Sequence, residues 1–478
     1  MIPITIREAR TMATLLFATT ATAFAQNNPS TGDAASAAKP ANPPAAASQP
    51  LFAKPAWLTE LSLGIRAGYD NNVYRNGADL PAVVPAPWSG SDLALPNKGS
   101  FFESVSPKIV VDFAKIGGTN SILRTLALSY APEFVTYNNA PSESYNAHRV
   151  GLNLGATSGD LSLLVDEQFT YNDGNKFGPT FPGSRLSAYG SGITRERREK
   201  VGNVANASVK YDQPDWFLRP TLSLLSDNYL AEHSPSPTPA GYQNFGDRSD
   251  FNYGADVGYK VTKDFALLAG YRLGEQHQET LHINPQPYTS SSDYQRFLLG
   301  FEGKPTKWLT AKLLAGPDLR QYNDKAPVRD SNPNTYYAEG SLSAKVTPDD
   351  TITFGYKQWQ YVLGSGRSPY FDSNFDLGYK HQFNKQWSAN LGARLQSSDY
   401  TVGNNPGTAD TNPRNDRLYT LSAGVQYAVT ANLTLDVAYS YALARNAGDV
   451  GAAPLVTRPV SYREFDDQIV SLGAKFKF

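Results

Sequence analysis

The sequence predicts an all-β chain: a transmembrane antiparallel up-and-down barrel of about eighteen strands, with about 16–18 compatible with the pattern. Three observations carry that prediction. Apolar residues alternate with polar or small ones along many short segments. Short and long connections alternate between those segments, and the last segment is amphipathic and ends on Phe478.

The N-terminus comes first. Arg7 and Arg10 flank a short, mostly apolar stretch from Met12 to Ala23, and Ala23-Phe24-Ala25 puts small residues at the two positions a signal peptidase reads. Residues 1–25 therefore read as an export signal cleaved before Gln26. The apolar stretch is shorter than the ~20 residues a spanning helix needs, which argues against a retained anchor. Gln26 to Pro55 is Ala, Pro, Ser and Asn with almost no large apolar side chain. It cannot bury enough surface to offset its ordering entropy, so residues 26–56 read as a disordered Ala/Pro-rich periplasmic leader. From Trp57 the character is uniform, and residues 57–478 form one domain that grows by adding hairpins.

Within that domain the period is two. Leu433, Leu435, Val437, Tyr439 and Tyr441 alternate with Thr434, Asp436, Ala438 and Ser440. The same holds for Leu309, Ala311, Leu313 and Ala315, for Phe265, Leu267, Ala269, Tyr271 and Leu273, and for Leu421, Ala423, Val425, Tyr427 and Val429. A helix would need apolar residues three and four apart, and these segments do not supply them. Short turns fall at 115–120, 157–160, 212–215, 262–264, 304–307, 347–350, 384–386 and 430–432, with Gly/Pro/Asn/Ser-rich stretches between them. Short turns at the periplasmic end and long loops outside are the pattern of outer-membrane barrels. In the last strand Val470, Leu472, Ala474, Phe476 and Phe478 alternate with polar or small residues, and Phe476 and Phe478 are read as the C-terminal assembly signal. A β-propeller would show a sharper four-stranded repeat of about 40–45 residues, and no such repeat is visible.

Composition narrows the function. Cysteine is absent, which excludes disulfides and thiolate chemistry. A net charge of −1 gives no bulk attraction to nucleic acid. Mean hydropathy is −0.42 without a long apolar run after the signal, which excludes a helical membrane protein but not a barrel. The 28 Tyr and 6 Trp suit girdles at two water–lipid interfaces.

Gly68-Tyr69-Asp70-Asn71-Asn72-Val73-Tyr74-Arg75 closes the first strand, and Tyr69, Asp70, Asn72, Val73 and Tyr74 resemble the opening strand of the family described as putative β-barrel porins. The resemblance implies an outer-membrane barrel of porin type, a family in which some members are encoded with polysaccharide-export systems. It implies no cofactor and assigns no residue beyond this strand. The expected partners are outer-membrane lipid, periplasmic chaperones and the barrel-assembly machinery, and the analogy with porins extends to a homotrimer.

If one face of each strand meets lipid, the other meets the lumen. That assignment points Arg66, Arg149, Arg219, Arg272, Arg296, Lys312, Arg394, Asp256, Glu302 and Asp376 inwards as pore-lining candidates. Lys108, Lys200, Lys210, Arg320, Lys380, Asp112, Asp166, Asp318, Glu339 and Asp436 join them. Two readings stand side by side: an arginine-biased wall weakly favouring anions, or paired charges that brace the barrel. The long stretch from Gly174 to Thr194 is expected to fold inward as a constriction. The five histidines are dispersed without metal-ligand spacing, and no Gly-rich phosphate loop is present, so neither a metal site nor an enzyme is expected. The leading function is passive diffusion of small hydrophilic solutes. The alternative is a structural or accessory role in exopolysaccharide export or surface attachment.

Overall fold

The computed structural model describes residues 54–73, 99–116, 122–173, 199–230, 247–280, 289–323, 334–362, 369–400, 414–448 and 465–478. The export signal, nearly all of the leader, Tyr74 and the 174–194 stretch lie outside them.

The described chain is almost wholly strand: β1 (Leu58–Asp70), β2 (Ser100–Asp112), β3 (Leu123–Tyr130), β4 (Glu133–Tyr137), β5 (Tyr145–Ser158), β6 (Leu161–Asn172), β7 (Lys200–Asp212), β8 (Trp216–Tyr229), β9 (Arg248–Thr262) and β10 (Phe265–Gln278). There follow β11 (Ser292–Thr306), β12 (Leu309–Tyr322), β13 (Asn334–Lys345), β14 (Asp350–Tyr361), β15 (Tyr370–Gln382), β16 (Trp387–Tyr400), β17 (Arg414–Ala428), β18 (Leu433–Gly448) and β19 (Phe465–Lys477). Apart from β3 and β4, consecutive strands pair antiparallel, and β1 pairs with β19 from Ser62↔Lys477 to Asp70↔Ile469. The sheet is therefore a closed barrel and has no free edge.

β3 and β4 are two halves of one stave, since both pair with β2 and with β5. This makes eighteen staves, as the sequence predicts. The break has a chemical cause. The flanking registers, Val105↔Phe134 and Ile109↔Tyr130, set Pro107 opposite Pro132. Neither has an N–H to give, so the ladder lapses there.

Seven of the eight short connections fall where the sequence places them, and most of the first, 115–120, lies outside the described residues. Gly159 takes a positive φ of 57° in the two-residue connection between β5 and β6. Gly303 has φ 124° where the β11–β12 register shifts, and a Cβ there would lie 2.0 Å from the Asp264 carbonyl oxygen.

Alternation sorts the two faces. Ile65, Val105, Leu267, Leu299, Leu377, Leu421 and Leu472 are exposed on the outside, Leu299 at 70 %. The next residues along each strand point into the barrel, where Phe217, Ala266, Leu268, Leu298, Leu314 and Tyr337 form a buried cluster from five different strands.

Candidate functional site

The lumen is the candidate site, and the strand registers set the charges assigned inwards from sequence on the face opposite the exposed apolar residues. Among the described residues the structure brings most of these charges together in pairs, Asp166 and Lys380 standing outside them, and the pairs differ in what surrounds them.

On the β8–β14 side the inner face is filled. Phe217, Leu268, Leu298, Leu314 and Tyr337 pack together with Trp359 against them. Below and beside this cluster Arg219 spans two carboxylates, giving Nη2 to Asp256 at 2.9 Å and to Glu302 at 2.8 Å. Arg272 reaches the other oxygen of Asp256 at 2.6 Å. These four residues come from β8, β9, β10 and β11 and form one network across adjacent staves. Nearer the loop end, Asp318 accepts from Arg296 Nε at 2.8 Å and from Arg320 Nε at 3.0 Å. The Arg296 guanidinium lies between the Tyr294 and Tyr337 rings, 4.0 and 4.2 Å from their centroids. Arg320 and Asp318 side chains are both 0 % exposed. Arg248, Asp227 and Lys200 form a further, half-buried group beside Tyr361.

On the other side the inner face changes character. β16 to β19, β1 and β5 to β7 turn small or amide residues inwards, among them Gly64, Gly151, Asn153, Asn206, Ser422 and Gly424. Such side chains cannot span a lumen this wide. The ion pairs on this wall stay open to water. Arg66 and Asp436 meet at 2.6 Å with side-chain exposures of 35 % and 17 %. Arg149 meets Glu133 at 2.8 Å, Arg394 meets Asp376, and Glu60 is shared by Lys108 and Lys475. On the filled side one pair is also open to water: Lys312 of β12 reaches Glu339 of β13 at 3.2 Å and is itself well exposed.

The residues that resemble the family motif sit at the loop end of the seam between first and last strands. Asp70 is 1 % exposed, accepting from the Asn72 backbone N–H at 2.9 Å and from the Tyr137 hydroxyl at 3.2 Å. Asn72 donates its amide to the Asp466 carbonyl at 2.6 Å, tying β1 to β19. Val73 joins Phe102, Val135, Tyr137 and Ala140 in a small buried cluster. Tyr69 points outward, edge to face with Phe101. At the opposite end of the seam Phe478 donates its N–H to the Leu61 carbonyl at 2.9 Å, and the Phe476 and Phe478 side chains face outward. Among the described residues no group of three or more His, Asp and Glu is placed to hold a metal.

Sequence reasoning missed Asp227, Arg248, Asp250, Gln276, Gln360 and Tyr361, which all meet at the loop end of the filled side. The signal for them was the run of large aromatics at inward positions, Trp359, Tyr361 and Tyr370, where other strands carry Ser, Gly or Asn.

A closed barrel with an apolar outer belt and a polar, ion-paired interior is an outer-membrane β-barrel of porin type. A family model described as putative beta-barrel porin 2 matches residues 205–454, just over half of the chain, and the chain belongs to that family. Among solved structures it is similar to OpdK from Pseudomonas aeruginosa with vanillate, at 12 % identity and a TM-score of 0.40, covering 88 % of this chain and 98 % of that one. OccK3 (OpdO) from the same organism matches at 11 % and 0.41, covering 88 % and 96 %. The siderophore receptor PirA from Acinetobacter baumannii matches at 8 % and 0.41, covering 88 % and 81 %. No curated protein matches the chain. The fold rests on the chain's own strand pairings.

Proposed function

We propose that the barrel is a channel, not a catalyst, through which small hydrophilic solutes diffuse passively along the sparsely filled side of the lumen. The observation that carries this reading is the contrast between the two inner walls. One is packed with aromatic and aliphatic side chains, while the other presents small polar residues and water-accessible ion pairs. Eighteen staves are wide enough for an aqueous route. Because the accessible charges are matched almost one to one, selectivity is weak. In this reading residues 1–25 are the cleaved export signal, Phe476 and Phe478 are recognised by the assembly machinery, and the barrel works as a porin-like homotrimer.

The test is planar-bilayer recording of the refolded full barrel under a salt gradient. Arg66→Ala leaves Asp436 unmatched on the open wall and shifts the reversal potential toward cations. Asp436→Ala leaves Arg66 and shifts it toward anions. Steady conductance with shifts of opposite sign supports the channel. A folded barrel that stays silent, or a potential that neither change moves, overturns it.

A further inference from the structure

We propose that the loop end of the β14–β15 hairpin, from Trp359 to Val362 with Tyr370, is the internal constriction that sets the size limit of this channel. The inference rests on the channel reading above and deepens it.

Three observations converge on this hairpin. First, the end of β14 parts from β13 while staying paired with β15, which itself keeps its ladder with β16 to Tyr370↔Tyr400. The pairing of β14 with β13 ends at Ala338↔Gln358, although β13 runs on to Asn334 in its ladder with β12. Second, alternation fails beyond that point. Gln360, Tyr361 and Val362 are consecutive and 1 %, 2 % and 0 % exposed. On a stave, neighbouring residues face lipid and lumen in turn. Three in a row buried means that both faces of this strand end are covered from within the protein.

Third, the strand end is tied to distant staves. The Gln360 carbonyl accepts from Gln276 Nε2 on β10 at 2.8 Å and from Arg320 Nη2 on β12 at 3.0 Å. The Val362 carbonyl accepts from Arg248 Nη1 on β9 at 2.9 Å. β9 lies five staves from β14, roughly 24 Å of wall at the usual strand spacing. A hydrogen bond between them has to run across the lumen. The Arg248 guanidinium also lies over the Tyr361 ring at 4.8 Å, Trp359 stacks on Tyr361 at 4.3 Å, and Leu225 of β8 packs against the pair. The end of β14 thus leans over the loop-end half of the lumen and leaves the passage to the small-residue wall.

The experiment compares the wild-type barrel with two variants in planar bilayers, using single-channel conductance and exclusion of polyethylene glycols of graded size. One variant combines Trp359→Ala, Tyr361→Ala and Tyr370→Ala, which shaves the constriction and leaves every ion pair in place. The other, Arg248→Ala with Gln276→Ala, cuts two anchors. Folding is checked by the heat-dependent shift in gel mobility. A several-fold rise in conductance with a larger excluded polymer in the shaved variant supports the constriction. If the wild type conducts and the shaved barrel shows the same conductance and cutoff, the constriction is refuted while the channel stands. If both are folded and silent, the channel fails and the constriction with it.

Discussion

Removing the Asp318 carboxylate is the sharpest test of the filled side. Asp318 is 0 % exposed and is shared by Arg296 and Arg320, whose guanidiniums lie against the Tyr294 and Tyr337 rings. Asp318→Ala removes the carboxylate that both cations share, in a site where water cannot replace it. Breaking a buried pair in this way costs about 3–5 kcal/mol. Asp436→Ala breaks a pair whose arginine is 35 % exposed, and solvent screening holds that loss to about 1 kcal/mol or less. The difference of at least about 2 kcal/mol is a factor of roughly thirty in the unfolding equilibrium. Denaturant titration of lipid-reconstituted barrels, followed by tryptophan fluorescence, measures it as a shift in midpoint at constant slope. Equal losses for Asp318→Ala and Asp436→Ala would refute the distinction between a sealed and an open wall.

Two further predictions concern the seam and the belt. Asp70→Ala and Asn72→Ala each lower barrel stability by about 1 kcal/mol, the net worth of an ordinary hydrogen bond, and lower the temperature at which the folded gel band is lost. Tyr69→Phe does not, because its ring faces outward beside Phe101. Leu299→Arg, at the middle of β11 on the lipid side, costs about 2–4 kcal/mol in the same denaturant titration. Ser440→Arg on the inner face costs far less, and equal costs would mean that the two faces have been assigned the wrong way round.

The direction in which each charge points was legible because it depends only on a local period of two. Arg66 and Arg296 occupy equivalent positions in that pattern, and sequence reasoning treated them alike. They differ because of what lies across the lumen: Arg66 faces small residues and water, whereas Arg296 is sandwiched between Tyr294 and Tyr337. Alternation reports which way a side chain faces and not what fills the space it faces. The same gap explains the motif near Asp70, visible as a resemblance, whose role in closing the seam depends on partners 67 and 394 residues away. It also explains the broken stave, since Pro107 and Pro132 interrupt the ladder only because the register sets them opposite each other. The stretch expected to fold inward, Gly174 to Thr194, lies outside the described residues, and the element proposed to narrow the lumen is the loop end of β14 in the β14–β15 hairpin.

That hairpin gives the lumenal arginines a second purpose besides pairing. An eight-stranded barrel is narrow enough for inward side chains to fill, and an eighteen-stranded one is not, so packing one side requires backbone as well. Backbone that leaves its ladder brings unpaired carbonyls into the interior, and each needs a donor. Gln360 and Val362 have lost β13, and their carbonyls are satisfied by Arg320, Gln276 and Arg248. A guanidinium carries five donors in a rigid fork, so Arg320 holds Asp318 through one edge and the Gln360 carbonyl through Nη2. Arg248 does the same with Asp227 and Val362. A lysine in either place would keep the charge and lose the fork. The loop-end arginines are therefore best understood as the fasteners of the constriction, and the water-accessible pairs on the opposite wall as the groups that a passing solute meets.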